Sequence, residues 1–311
     1  MQTYSLAPIV LFTYNRPLHT QRCLESLHGN TLSFYSTLYI FCDGPKIGAN
    51  KEELEKIAQI EQLVSSKKWC GNVIIHKHAQ NIGLRNSIIS GINSVINKHG
   101  RVIVLEDDLI LSPYFLEYMN NGLETYKNEP NVCQISGFSF NLDVRSVQED
   151  AYFLPLTTTW GWATWKRIWH DIDFDGKDYK AILYNENAIR QFNLNNSYNY
   201  YDLLLKQVSP DSTVSSWGIM FWLNAFKNNY ITLFPKNTLV NNEGFDGSGR
   251  HGANEKSISS AQLETNRSDI FPMYPVPNEM LFKQLKKLMH KQEHSVKKRL
   301  VKLYKKVLAY L

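Results

Sequence analysis

Three consecutive carboxylates, Glu106, Asp107 and Asp108, directly follow four apolar residues, Val102 to Leu105. Like charges held side by side cost free energy unless a cation or hydrogen-bond donors compensate them. A metal site is one reading of the triplet, and an exposed acidic turn is the other. The apolar run reads as a strand buried on both faces, because a parallel sheet covered by helices needs no polar alternation. The acids then stand where that strand ends. Ser112 and Pro113 read as N-cap and first residue of a helix carrying Phe115, Leu116 and Met119.

The preceding chain supplies the elements that would position such a site. Ala7 to Tyr14 is strand-like, and Asn15-Arg16-Pro17 opens a helix with Leu24 and Leu27. Leu38 to Cys42 ends at Asp43-Gly44, and Leu54, Ile57, Ile60 and Val64 follow with helical spacing. Val73 to Ile75 gives a third strand. The turn Asn81-Ile82-Gly83-Leu84 precedes a helix marked by Ile88, Ile89, Ile92, Val95 and Ile96, which Gly100 ends. Strand alternating with helix predicts a doubly wound α/β sheet, whose ligands bind at the carboxyl ends of the strands. Thr13 to Arg16, Asp43 and Glu106 to Asp108 all fall at such ends, so one crevice could collect them.

Beyond Lys127 the texture changes. Val132 to Phe140 reads as a strand, and Thr157 to Trp169 packs four tryptophans around one glycine. That stretch is either a loop lining a ligand site or an aromatic core plug. Trp217, Phe221, Trp222 and Phe226 share one helical stripe of the kind that faces a core. Ile231 to Pro235 and Thr238 to Val240 read as short strands, and Gly244 to Gly252 is a glycine-rich loop containing His251.

The formal net charge of +5 is uneven: Glu279 to Leu311 holds ten Lys or Arg against two Glu. Leu281, Leu285, Leu288, Val296, Leu300, Val307 and Leu311 recur there at helical spacing. A basic amphipathic helix of this kind either lies on an anionic membrane surface or docks on its own domain. Nucleic-acid binding fits poorly, because the basic residues are confined to this tail without a recognition motif. The four cysteines form no CxxC pair, which argues against a zinc knuckle and a disulfide framework. No apolar run approaches the roughly 18 to 20 residues that cross a bilayer. These features predict a cytoplasmic protein, with peripheral attachment to the inner membrane face if the tail binds lipid.

Taken together, FTYNRP (Phe12 to Pro17), CDG (Cys42 to Gly44), NIGL (Asn81 to Leu84), LEDDLILSPYF (Leu105 to Phe115) and TWGWATWKRIW (Thr159 to Trp169) resemble segments of bacterial GT-A glycosyltransferases. The likeness is to family-2-like sugar transferases related to the N-acetylglucosaminyltransferase I fold, and it spans residues 7 to 252. It implies a Rossmann-like mixed sheet flanked by helices over residues 1–255, with a donor-binding half at 1–130 and an acceptor-binding half at 131–255. A linker at 256–278 and the basic helical tail at 279–311 complete the expected organisation.

The resemblance also implies roles. Asp43 would contact the uracil or ribose of a UDP-sugar, with Thr13, Asn15, Arg16 and Arg85 lining the nucleotide pocket. Glu106 and Asp107 would face the sugar or ribose, while Asp108 and His251 would hold Mn²⁺ or Mg²⁺. Trp160, Gly161 and Trp162 would form an acceptor-side loop. The implied reaction is metal-dependent, inverting transfer to a saccharide or lipid-linked saccharide acceptor in bacterial surface polysaccharide synthesis. One departure matters: related sequences offer a catalytic Asp near Trp217, whereas this chain reads Ser215-Ser216-Trp217-Gly218. Asp211 is the nearest upstream acid and the candidate base, with Asp202, Glu243 and Asp246 further away. Two alternatives stay open. A sugar-nucleotidyltransferase would use a related sheet, although no glycine-rich loop with a following Lys succeeds the first strand. A glycan-binding protein of the same fold would need no base.

Overall fold

Local signals divide the first hundred residues into strand–helix units. The computed structural model describes residues 5–209, 216–247 and 263–293. β1 (Ile9–Thr13) leads into α1 (Pro17–His28), β2 (Thr37–Cys42) into α2 (Lys51–Ser65), and β3 (Asn72–Lys77) into α3 (Leu84–His99). Pro17 starts α1, where its missing N–H costs nothing. The Asn50 side chain caps α2 by accepting from Glu53 N at 2.9 Å. Gly100 ends α3 in the left-handed region at φ 75°, which a side chain would disfavour.

β4 (Arg101–Glu106) follows, and its Val102 to Leu105 are buried on both faces as the apolar run requires. β1, β2, β3 and β4 run parallel, with β1 between β2 and β4. The chain thus moves outward from β1 through β2 to β3, then returns to the other side of β1. That reversal opens a crevice at the carboxyl ends of β1 and β4.

The second half extends the sheet. β5 (Leu109–Leu111), α4 (Phe115–Thr125), β6 (Val132–Ser136), β7 (Ala151–Leu154) and β8 (Trp162–Trp165) come next, then α5 (Lys166–Trp169). α6 (Tyr179–Ile182), α7 (Glu186–Phe192), α8 (Tyr200–Val208) and α9 (Trp217–Lys227) form a helical group. β9 (Ile231–Pro235), β10 (Val240–Asn242) and α10 (Glu279–Glu293) complete the described elements. The large sheet has eight strands in the order β3-β2-β1-β4-β8-β6-β9-β7, and β10 pairs separately with β5. β8 is antiparallel to β4, with Trp162 opposite Val104, so the chain entering β8 reaches the same edge as Glu106. α3 packs on β1, β2 and β4, and α4 covers β6 and β8. This mixed sheet between helices is consistent with the GT-A architecture implied by the resemblance.

Several boundaries differ from the sequence reading. The strand expected at Val132 to Phe140 stops at Ser136, where Gly137 N turns to donate to Gly161 O at 2.7 Å. Ser112 does not cap a helix. Its hydroxyl donates to Glu264 O at 2.6 Å, and the helix begins three residues later at Phe115. Residues 264–278, expected as a linker, are bonded along the domain: Tyr126 donates to Pro272 O, and Asn278 N to Phe153 O. α10 buries Leu281, Leu285 and Met289 and packs on β7. Within the described residues the first half of the tail therefore docks on its own domain. No helix there is long and apolar enough to cross a membrane.

Candidate active site

The crevice is built by three strand ends and one returning turn. At the end of β1, Arg16 donates from Nη2 to Asp107 Oδ1 and to Asp108 Oδ2, the latter at 3.0 Å. Nη2 carries two N–H groups and so can donate one to each carboxylate. Burial raises the Asp107 carboxyl above its usual range, and Arg16 pulls it back. Glu106 is raised as well, first by burial and then by the Asp108 and Asp107 charges. The three acids are thus a net negative site that one internal cation offsets only in part.

Pairing of β10 with β5 places a second acidic segment here. Asn242 lies opposite Leu109, so the turn that follows β10 falls beside Asp108. Glu243 N donates to Asp108 O at 2.8 Å. A Cβ on Gly244 would lie 2.3 Å from Asp108 Oδ2, so only glycine permits this approach. α1 faces the turn with His19, whose Nε2 is 3.2 Å from Asp246 Oδ2, and with Arg22, 3.0 Å from Glu243 Oε2. Arg16, His19 and Arg22 recur every three residues along one helical face, and each meets an acid across the crevice. The spacing was present in the sequence, but the acids that His19 and Arg22 face became visible only with the β5–β10 pairing.

Asp43 at the end of β2, expected to contact the uracil or ribose, is bonded within the chain on both carboxylate oxygens. Its Oδ1 accepts from Gly44 N at 3.0 Å and Ile82 N at 2.9 Å, and its Oδ2 from Asn81 Nδ2 at 2.9 Å and Gly83 N at 3.0 Å. A carboxylate has about four acceptor sites, so these bonds occupy them all. Asp43 therefore shapes the Asn81–Gly83 turn, and the groups exposed to the crevice are its neighbours. The Thr13 hydroxyl is likewise turned inward, 2.9 Å from Thr20 Oγ1. Asn15 is half-buried, and its side chain makes no hydrogen bond among the described residues, which leaves it available to a ligand. Arg85, at the start of α3, donates to Phe174 O at 2.7 Å and so ties α3 to the second half of the domain.

The tryptophan stretch divides between the two readings it allowed. Trp160 is half-buried and packs against Phe138 and Phe245, 4.7 and 5.5 Å between centroids, beside the acidic turn. Trp162 is wholly buried and stacks on Trp217 at 5.3 Å, so it is core and not a ligand platform. Gly161 adopts φ 58° with its Cβ position 2.8 Å from Val240 Cγ1, which fixes the bend between the two tryptophans. Asp211 and His251 lie outside the described residues.

The donor set suits a hard divalent ion in chemistry, since Asp107 and Asp108 present carboxylate oxygens beside a half-buried Glu106. Among the described residues no three His, Cys, Asp or Glu side chains form a ready cation site.

No protein-family model matches the sequence, and comparison with curated proteins finds no match either. The fold is similar to that of several solved glycosyltransferases. A mannosyltransferase from Pyrobaculum calidifontis, determined with GDP-mannose and Mn²⁺, is 9 % identical with a TM-score of 0.39, over 72 % of this chain and 70 % of that one. TarS of S. aureus (residues 1–349) is 11 % identical with a TM-score of 0.43, over 76 % of this chain and 59 % of that one. Mouse xyloside xylosyltransferase 1 is 12 % identical with a TM-score of 0.37, over 70 % and 80 %. At these scores the likeness assigns no function.

Proposed function

We propose that this chain is a glycosyltransferase that moves a sugar from a nucleotide-sugar donor, with UDP as the nucleotide, to a saccharide or lipid-linked saccharide. The carrying observation is the meeting of Arg16 with Asp107 and Asp108 at the switch point of the sheet. There the nucleotide would lie along the carboxyl ends of β1 and β2. Asn15 would meet its base or ribose, and the turn held by Asp43 would present backbone to it. Asp107 and Asp108 would hold Mn²⁺ or Mg²⁺, which supplies positive charge against the departing nucleoside diphosphate. Arg16 would then be released from the carboxylates toward the diphosphate oxygens. Trp160 and Phe245 form the apolar wall on the acceptor side. The base that takes the acceptor proton in an inverting displacement is Asp211, or else Glu243 or Asp246 on the turn beside Asp108.

The test is release of UDP from a donor panel by purified protein with Mn²⁺. Asp108→Ala is expected to abolish release, and no turnover or UDP binding with any donor would sink the proposal.

Membrane attachment belongs to the same reading, in a role for polysaccharide synthesis at the inner face. Lys283, Lys287 and Lys291 lie on the outward side of α10, next to exposed Met273, Tyr274 and Val276. Residues 294–311 add six Lys or Arg and no acid. Each basic residue near an anionic lipid surface contributes about 1 kcal/mol. Sedimentation with phosphatidylglycerol vesicles, but not phosphatidylcholine vesicles, is expected; equal partitioning to both removes the attachment.

A further inference from the structure

A trough of about 590 Å³ lies away from the crevice, between α6, α7 and the carboxyl end of α9. Its floor is apolar, with Ile182, Ala188 and Phe226, and its rim carries the Tyr184 ring, 75 % exposed, beside Gln191 and Asn229. Its two charges, Asp178 and Lys227, stand 3.7 Å apart and cancel. With no surplus of positive charge, the trough has no hold on a phosphate. Amide side chains both donate and accept, which suits neighbouring hydroxyl groups, and an exposed ring offers a flat apolar face.

A second observation points to a ligand. Asp178, Ile182 and Lys227 also line a recess of about 20 Å³ under the trough, together with Asn224. Asn224 is 6 % exposed, and its Nδ2 has no hydrogen-bond partner. A buried donor left unmade costs free energy, so such a group in a cavity wall calls for an oxygen to meet it. Asp171 and Asp173 line the same recess, and Asp173 accepts from Asp175 N at 3.0 Å and from Lys177 N at 2.6 Å.

We propose that this trough binds a neutral saccharide chain. α9 starts at Trp217, stacked on the core residue Trp162, and ends ten residues later at Lys227. At 1.5 Å per residue the two ends are ~15 Å apart. The carboxyl end of α9 leads into β9, whose Ile231 pairs with Val132 at the start of β6, so the trough lies toward the amino ends of the parallel strands and is a saccharide site separate from the crevice. Saccharide binding there does not rest on the proposed sugar transfer.

The experiment titrates the ¹⁵N-labelled full chain with chitotetraose, with mannotetraose and with inorganic phosphate. The expected result is that a tetrasaccharide shifts the side-chain amide signals of Gln191, Asn224 and Asn229, and that phosphate does not. Tyr184→Ala, an exposed substitution, is expected to weaken that binding about five- to tenfold while leaving UDP release from the donor to water unchanged. The inference is overturned if neither tetrasaccharide moves those signals, if phosphate moves them instead, or if Tyr184→Ala binds as the parent does. Saccharide binding without turnover of any donor removes the transferase reading and leaves the trough; turnover without such binding does the reverse.

Discussion

Asp43→Asn separates a structural role for this acid from a nucleotide-contacting one. In the parent, two donors point at each carboxylate oxygen. The amide keeps one oxygen, so at best two of the four bonds survive, and the new NH₂ confronts two donors. Asn81 cannot simply flip to compensate, because its Nδ2 also donates to Gly44 O at 3.1 Å. Two lost hydrogen bonds to a charged group cost about 1.5–3 kcal/mol each, hence at least ~3 kcal/mol in total. For a chain of this size roughly 2 °C is lost per kcal/mol, so the melting temperature should fall by about 6 °C. Differential scanning calorimetry with and without UDP reads both quantities. If Asp43 acts on the ligand alone, the apo melting temperature stays with the parent and only the UDP-induced rise disappears. That outcome would refute the saturation argument.

Other perturbations test the remaining contacts. Gly244→Ala should weaken UDP–Mn²⁺ binding about tenfold, ~1.4 kcal/mol, by pushing on Asp108; Gly29→Ala, where a Cβ meets only ordinary contacts at 3.6 Å, should leave it unchanged in calorimetric titration. Leu285→Ala removes a wholly buried side chain on α10 and should cost ~2–5 kcal/mol in urea unfolding; no loss would mean that α10 does not dock. Raised carboxyl groups at Glu106 and Asp107 make the folded, metal-free protein bind more protons than the unfolded chain does. Their contribution to stability is present at low pH and should be lost as pH climbs from the ordinary carboxylate range toward neutrality. Melts in EDTA across that range should show the loss for the parent and less of it for Glu106→Gln.

The sequence carried most of the scaffold of the first half, because its signals are local. Pro17 starts a helix, Gly100 ends one, and four apolar residues before an acid mark a buried parallel strand whatever the distant chain does. The placement of Asp43 at a strand end was legible for the same reason. Its saturation was not, since three of its four donors come from Asn81, Ile82 and Gly83, about forty positions away. Trp160 and Trp162 look alike in sequence, yet strand pairing at β8 sends one to the crevice and the other to the core. The β5–β10 pairing is non-local, so nothing near Gly244 announced that Asp108 lies against it. α10 shows a further limit: helical spacing of leucines is the same for a docked helix and a lipid-bound one, and only contact with β7 distinguishes them.

Those long-range contacts also explain how so acidic a crevice holds together. Among the described residues, Asp107 and Asp108 meet Arg16, Glu243 meets Arg22 and Asp246 meets His19 across it. Arg22 and Glu243 are exposed enough for solvent to screen their pair, so the compensation that matters comes from Arg16. Arg16 immediately precedes the start of α1, whose first residue is fixed by Pro17, and its guanidinium therefore starts from a rigid base. A diphosphate entering this crevice would add negative charge to an existing excess. It becomes favourable only when a further cation enters with it or when Arg16 exchanges a carboxylate for phosphate. In the first case the anion and the cation bind as one coupled event; in the second the counter-charge is already in place. On the proposed function, the carboxylate triplet would make donor binding conditional on a cation.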